Sequence, residues 1–249
     1  MNDADFDSAL NLGGGASFGD TDWWVVRKAG QPELPQADAA RASLCRTYWH
    51  PVYWYVRRVG RGHEDAQDLT QEFFARLLER NYVQAAAREK GKFRTYLLTM
   101  LKRFLADEWD RSHRQKRGGG TPTISIDAVG TEFFRRRELA DETTPDKVFD
   151  RAWAESLLQH ALERLEQESA AAGKNRVFQE LKPFVTCDSE VTCAVTAERL
   201  GMTVGNLKVT AHRLRQRYRE LLRAEVARTA ATPEEVEEEL RDLYATLKQ

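Results

Sequence analysis

Residues Ala194–Arg223 read A-V-T-A-E-R-L-G-M-T-V-G-N-L-K-V-T-A-H-R-L-R-Q-R-Y-R-E-L-L-R. A helix ending at Leu200, a tight turn through Gly201 and Met202, and a second helix capped by Thr203 follow the plan of a helix-turn-helix. On the second helix Val204, Leu207, Ala211, Leu214, Tyr218 and Leu221 share one arc and are expected to pack inward. The opposite arc carries Gly205, Asn206, Lys208, Val209, His212, Arg213, Gln216 and Arg219. Small and polar residues near a helix N-terminus can approach base edges, and the Arg and Lys beyond them can hold phosphates. The competing reading is an amphipathic surface helix whose basic face is merely solvated.

Working outward, the rest of the chain is also helical in pattern, and the expected class is all-α. Of its 249 residues 31% are charged, and Leu, Ala, Glu and Arg dominate the periodic stretches, as in helical proteins. The net charge of -1 conceals a strong asymmetry. Arg88 to Arg117 and Arg199 to Arg228 are cationic, whereas the first two dozen residues and the tail from Glu234 to Asp242 are acidic.

The second informative stretch is Gly91–Arg117, G-K-F-R-T-Y-L-L-T-M-L-K-R-F-L-A-D-E-W-D-R-S-H-R-Q-K-R. Phe93, Leu97, Met100, Leu101, Phe104 and Leu105 form its expected buried stripe. Thr95, Tyr96, Thr99, Lys102, Arg103 and Ala106 fall on the other side, where aromatic and basic groups interleave as on surfaces that bind unpaired nucleic acid. For Tyr96 or Trp109 taken singly, core filler is an equal reading.

The third is Glu64–Arg80, E-D-A-Q-D-L-T-Q-E-F-F-A-R-L-L-E-R, with Asp65, Asp68, Glu72 and Glu79 on one acidic stripe. Inside a DNA-binding unit an acidic face repels DNA, so it is read as facing a basic protein partner, the alternative being a solvated helix face.

Punctuation divides the chain. Residues 1–35 are an acidic, Gly-rich leader expected to be largely disordered, although Trp23-Trp24-Val25-Val26 is apolar enough to dock. Residues 36–117 form a first helical domain broken at Gly60-Arg61-Gly62, residues 118–143 a linker, and residues 144–228 a second helical domain opened by Thr144-Pro145. Residues 229–249 hold a last, acidic helix with a capping box at Thr232 and Glu235. Its stripe of Val236, Leu240, Leu243 and Leu247 is expected to pack on the second domain, the alternative being a cover for a basic surface.

Cys45, Cys187 and Cys193 have no metal-ligand spacing, and the five histidines are scattered. No long apolar run occurs, so a cytoplasmic address without membrane contact is expected, and no cofactor.

The three stretches, in this order, resemble the extracytoplasmic-function sigma factors of bacterial RNA polymerase. Asp65-Ala66-Gln67-Asp68-Leu69-Thr70-Gln71-Glu72-Phe73-Phe74 is similar to the family's D-A-E-D-L-V-Q-E-T-F motif. That likeness implies that Asp65, Asp68, Gln71 and Glu72 dock on core RNA polymerase through the coiled coil of the beta-prime subunit, with the beta subunit a further contact. Phe93–Leu97 and the helix running on to Asp107 resemble the reader of the melted minus-ten element, which implies DNA contacts from Lys90, Lys92, Thr95, Tyr96, Thr99, Lys102 and Arg103. The loop from about Ala86 to Lys92 matches the family's base-capturing loop. Leu200–Gly205 with the following helix resembles the minus-thirty-five reader, implying contacts from Thr203, Gly205, Asn206, Lys208, Val209, His212, Arg213 and Gln216.

This chain departs from the family at Gln67, where an acid is usual, and at Val209 and Thr210, which replace a polar and basic pair. Thr70 replaces an apolar residue, and a phosphate there would restore charge near Gln67, which makes Thr70 a candidate regulatory phosphosite for a kinase. Its place in the apolar arc favours instead a buried hydroxyl bonded to its own helix. The expected function is promoter recognition, DNA melting and transcription initiation without bond chemistry, so the chain is not expected to be an enzyme. An anti-sigma factor is a further candidate partner, and a stand-alone helix-turn-helix regulator binding promoter DNA without polymerase is the alternative.

Overall fold

A computed structural model of the chain describes residues 24–29, 36–79, 92–116, 144–186, 193–230 and 232–248. All regular structure among these residues is helical: α1 (Trp24–Ala29), α2 (Ala37–Arg58), α3 (His63–Glu79), α4 (Phe93–Lys116), α5 (Pro145–Ala171), α6 (Asn175–Thr186), α7 (Cys193–Leu200), α8 (Val204–Ala227) and α9 (Pro233–Leu247). The all-α expectation holds. The 118–143 linker and most of the 1–35 leader lie outside the described residues, apart from α1.

Contacts divide the chain into two compact units, one of residues 22–156 and 227–249 and another that includes residues 157–226. The first is built on α2, whose Ala37, Ala40, Leu44, Tyr48, Val52 and Tyr55 recur at three and four and are buried. Gly60 ends the helix at φ +94, with the Gly60 amide bonded to the Arg57 carbonyl over 3.0 Å. Against α2 lie α3, through Ala66, Phe73, Phe74 and Leu77, and α4, through Phe93, Leu97, Leu101 and Phe104, all buried. Edge-on rings join them: Tyr48 meets Phe93 at 5.5 Å between centroids and 70° between planes. The helix α1 seats Val26 and Ala29, and its Ala29 carbonyl accepts from Arg41 Nε at 3.0 Å.

Two expectations are corrected here. The helix α9 packs within the first unit and not the second, burying Val236 and Leu243. Residues 145–156 of α5 also belong to the first unit, burying Phe149, Ala152 and Trp153, so the boundary falls at Leu157 and not at Thr144. The physical reason is Trp153, whose ring lies 4.3 Å under the Arg94 guanidinium of α4 and needs an aromatic-rich core of the kind the first unit supplies.

The second unit packs Leu157, Ala161 and Leu165 of α5, Phe178, Leu181 and Phe184 of α6, Ala197 of α7, and Leu207, Ala211, Leu214 and Leu221 of α8. Gly173 at φ +71 separates α5 from α6. Arg217 of α8 forks onto Glu168, with Nε to Oε2 and Nη2 to Oε1 both 2.9 Å. Arg164 bonds the buried Glu225 at 3.0 Å, a partner that keeps the carboxylate from being stranded in an apolar setting.

Candidate functional site

In α4 the spacing of Lys92, Thr95, Tyr96, Thr99, Lys102 and Arg103 by three and four places them on one side of the helix. Phe93, Leu97, Leu101 and Phe104 turn inward and hold that side out. Thr95, Thr99, Lys102 and Arg103 are exposed, and Tyr96 is half-buried with its ring 6.3 Å from Phe93. Lys90 lies outside the described residues, as does the loop before Lys92.

The charges on this face are partly met from within the first unit. Lys102 Nζ bonds Asp146 Oδ2 at 2.7 Å, and this hydrogen bond holds the ammonium above its ordinary pKa. Lys92 Nζ bonds Asp242 Oδ2 of α9 at 2.7 Å. Arg94, absent from the sequence-derived contacts, is the hub: Nη1 bonds Asp150 at 2.5 Å, and Nη2 lies 3.1 Å from Glu239 and 3.2 Å from Asp242. Burial pushes the Asp150 and Glu239 carboxyls above their ordinary range although Arg94 pulls both down. No local signal near Arg94 names these acids, because Asp242 stands 148 positions away.

In α3, Asp65, Asp68 and Gln71 are exposed. Glu72 is less free: it pairs with Arg76, which also meets Glu108 of α4 at 2.7 Å and sits 5.0 Å over the Phe104 ring. Thr70 is fully buried, and its hydroxyl donates to the Ala66 carbonyl at 2.6 Å.

In the second unit the turn between α7 and α8 is closed by Gly201 at φ +66, with the Met202 amide bonded to the Ala197 carbonyl at 3.0 Å. Thr203 caps α8, its hydroxyl accepting from the Asn206 amide at 3.2 Å. Leu207, Ala211, Leu214 and Leu221 are buried as expected and Tyr218 donates to the Leu158 carbonyl at 3.1 Å, but Val204 is exposed, a correction. Placed in the first turn, Val204 precedes the stretch of α8 that meets other helices. Thr203, Gly205, Asn206, Lys208, Val209, His212 and Gln216 are exposed and Arg213 is half-buried, so the outward arc stands as one surface. Val209 is 50% exposed, an apolar side chain in the middle of a polar face.

Among the described residues no group of His, Cys, Asp and Glu is arranged to hold a metal, and no helix is long and apolar enough to cross a membrane. The protein is thus built as two helical units, one presenting a basic helix face beside an acidic one, the other a capped helix-turn-helix.

Residues 44–115 match the family model of sigma-70 region 2. That span takes in α3 and nearly all of α4. The chain is also 26% identical over 225 residues to the ECF RNA polymerase sigma factor SigE of Mycolicibacterium smegmatis, an alignment covering 86% of this chain and 76% of that protein. No solved structure matches the chain. Both likenesses support the reading of the chain as an extracytoplasmic-function sigma factor. A sigma factor directs transcription initiation, and that family implies core RNA polymerase and promoter DNA as partners.

Proposed function

We propose that the two units divide the work of promoter recognition: the first docks on polymerase and holds the melted minus-ten strand, and the second reads the minus-thirty-five element. The observation that carries this is the face of α4. Thr95, Thr99, Lys102 and Arg103 are exposed in a row, with Tyr96 beside them, inside the segment that matches sigma-70 region 2. Cations track a sugar-phosphate backbone, threonine hydroxyls bond it, and a tyrosine ring stacks an unpaired base.

The exposed carboxylates Asp65 and Asp68, with Gln71 and Glu72, form the surface for the beta-prime coiled coil, and the second unit is the part available to the beta subunit. Opposite charge there sets orientation and association rate more than raw affinity. In the second unit a Cβ at Gly205 would meet Thr203 Oγ1 at 3.9 Å, and the missing side chain lets the backbone of α8 approach DNA closely. Asn206, Lys208, Val209, His212, Arg213 and Gln216 then face the major groove, with Thr203 at the start of the helix. Residues 118–143 connect α4 to α5 along the chain. An anti-sigma factor would act by covering these same faces. A kinase acting on Thr70 would first need α3 opened, since the hydroxyl is buried and bonded to Ala66.

Run-off transcription with core RNA polymerase, with and without the chain, on fragments of the source genome tests this reading. New discrete transcripts that disappear when Asp65→Lys and Asp68→Lys are combined are expected. Absence of transcripts, together with salt-sensitive binding of duplex DNA by the chain alone, would transfer the assignment to a stand-alone helix-turn-helix regulator.

A further inference from the structure

The acidic helix α9 is held against the first unit by a mixed face. Val236, Glu239 and Leu243, spaced by three and four, are buried, so a carboxylate occupies a register position that packing alone would give to an aliphatic residue. Glu239 is 6% exposed, and its Oε2, although 3.1 Å from Arg94 Nη2, lacks a well-formed hydrogen bond, as does the buried Nε of Arg94. Tyr48 and Trp153 belong to the same unit, and Trp153 lies directly under Arg94. A contact evolved only for stability would replace such groups with apolar ones, because an imperfectly paired buried charge costs more than it returns.

The acids of α9 converge on two cations. Asp242 Oδ2 is 2.7 Å from Lys92 Nζ and 3.2 Å from Arg94 Nη2, and the Glu238 and Glu239 carboxylates each come within 3.9 Å of Lys92 Nζ. Lys92 begins the same helical row that continues through Thr95, Tyr96, Thr99, Lys102 and Arg103. A carboxylate oxygen 2.7 Å from an ammonium stands where a phosphate oxygen would stand.

We propose that α9 is a built-in competitor for nucleic acid: Glu238, Glu239 and Asp242 occupy the anion positions of Lys92 and Arg94, and the phosphates of an unpaired DNA strand displace them. The inference rests on the assignment of the α4 face to the melted strand. It adds a second ligand, belonging to the chain itself, for the same cations. The helix is therefore a threshold on DNA capture, and release of its acidic edge exposes Lys92 while the apolar residues Val236 and Leu243 supply the force for return.

The test uses the full chain assembled with core polymerase and a labelled fork DNA bearing an unpaired minus-ten strand. Glu238→Gln with Asp242→Asn removes the competing charge and leaves Val236, Glu239 and Leu243 in place. The double variant is expected to bind the fork DNA about 3- to 10-fold more tightly at low salt, the advantage fading as salt screens the contact. Amide hydrogen exchange over 233–247 is expected to quicken when fork DNA is added to the unsubstituted assembly.

Equal affinity of the double variant and the parent, or undiminished protection of α9 in the presence of DNA, overturns the competitor. If affinity is unmoved by the double variant yet falls with Lys102→Ala and Arg103→Ala, the α4 reading stands and only the competitor fails. If neither set of substitutions changes fork binding, the α4 reading fails and takes the competitor with it.

Discussion

The hydroxyl of Thr203 accepts a hydrogen bond from the Asn206 amide at 3.2 Å and so closes the first turn of the helix that carries the outward arc of the helix-turn-helix. Without the hydroxyl that amide loses its side-chain acceptor. Thr203→Ala is expected to cost about 1 kcal/mol of stability in urea unfolding, and Thr203→Ser to restore most of it. A loss of duplex binding in the Ala variant that Ser also restores would trace to helix order.

Gly201 holds φ +66, and a Cβ there would meet nothing within 4 Å. The cost of Gly201→Ala is therefore purely that of the left-handed backbone, about 1–2 kcal/mol, and Gly201→Asn should cost less because Asn tolerates that region. Thermal unfolding of the two variants side by side checks the order.

Val209 is 50% exposed in the middle of the proposed reading face. An isopropyl group can only gain at a base edge from an apolar neighbour, and in the major groove that neighbour is the thymine methyl. Val209→Ala is expected to weaken discrimination for thymine at one upstream position by about 1 kcal/mol while leaving the salt slope of binding unchanged, as read by competition among duplexes of varied sequence.

Burial pushes the Glu239 carboxyl above its ordinary value, Asp242 and Asp150 add to the rise, and Arg94 and Lys92 oppose it. Asp150 is raised as well, again chiefly by burial. In the folded chain these groups hold protons more tightly than in the unfolded one. The contribution to stability is thus full below the unfolded carboxyl range and is lost as pH rises through the folded values. Glu239→Gln is expected to flatten that decline, measured as unfolding free energy from pH 4 to 7, whereas an unchanged slope would show that Glu239 does not titrate with folding.

Much of this was legible along the chain. Helix ends followed from Gly60, Gly173, Gly201 and the Thr232 cap, each of which acts through its own backbone within one turn. The outward arc of α8 followed from period alone, and so did the inward stripe of α4 at Phe93, Leu97, Leu101 and Phe104, whereas Met100 and Leu105 are only half-buried and Val204 of α8 is exposed one turn ahead of the helix's buried stretch. The burial of Thr70 was equally readable, since it falls between Ala66 and Phe73 on the apolar arc of α3.

What the amino-acid sequence determined by itself was therefore the set of helices, the faces they present and the likeness to sigma factors, because periodicity, caps and motifs are local. Where those faces go was decided only in three dimensions. An amphipathic stripe says that a helix must cover something but not what, and α9 had two candidate domains to cover. Its place in the first unit depends on Lys92 and Arg94 meeting Glu239 and Asp242, and on Phe149 and Trp153 entering the same unit. Charges about 150 positions apart find each other only once the intervening chain has folded, and no local pattern records that meeting.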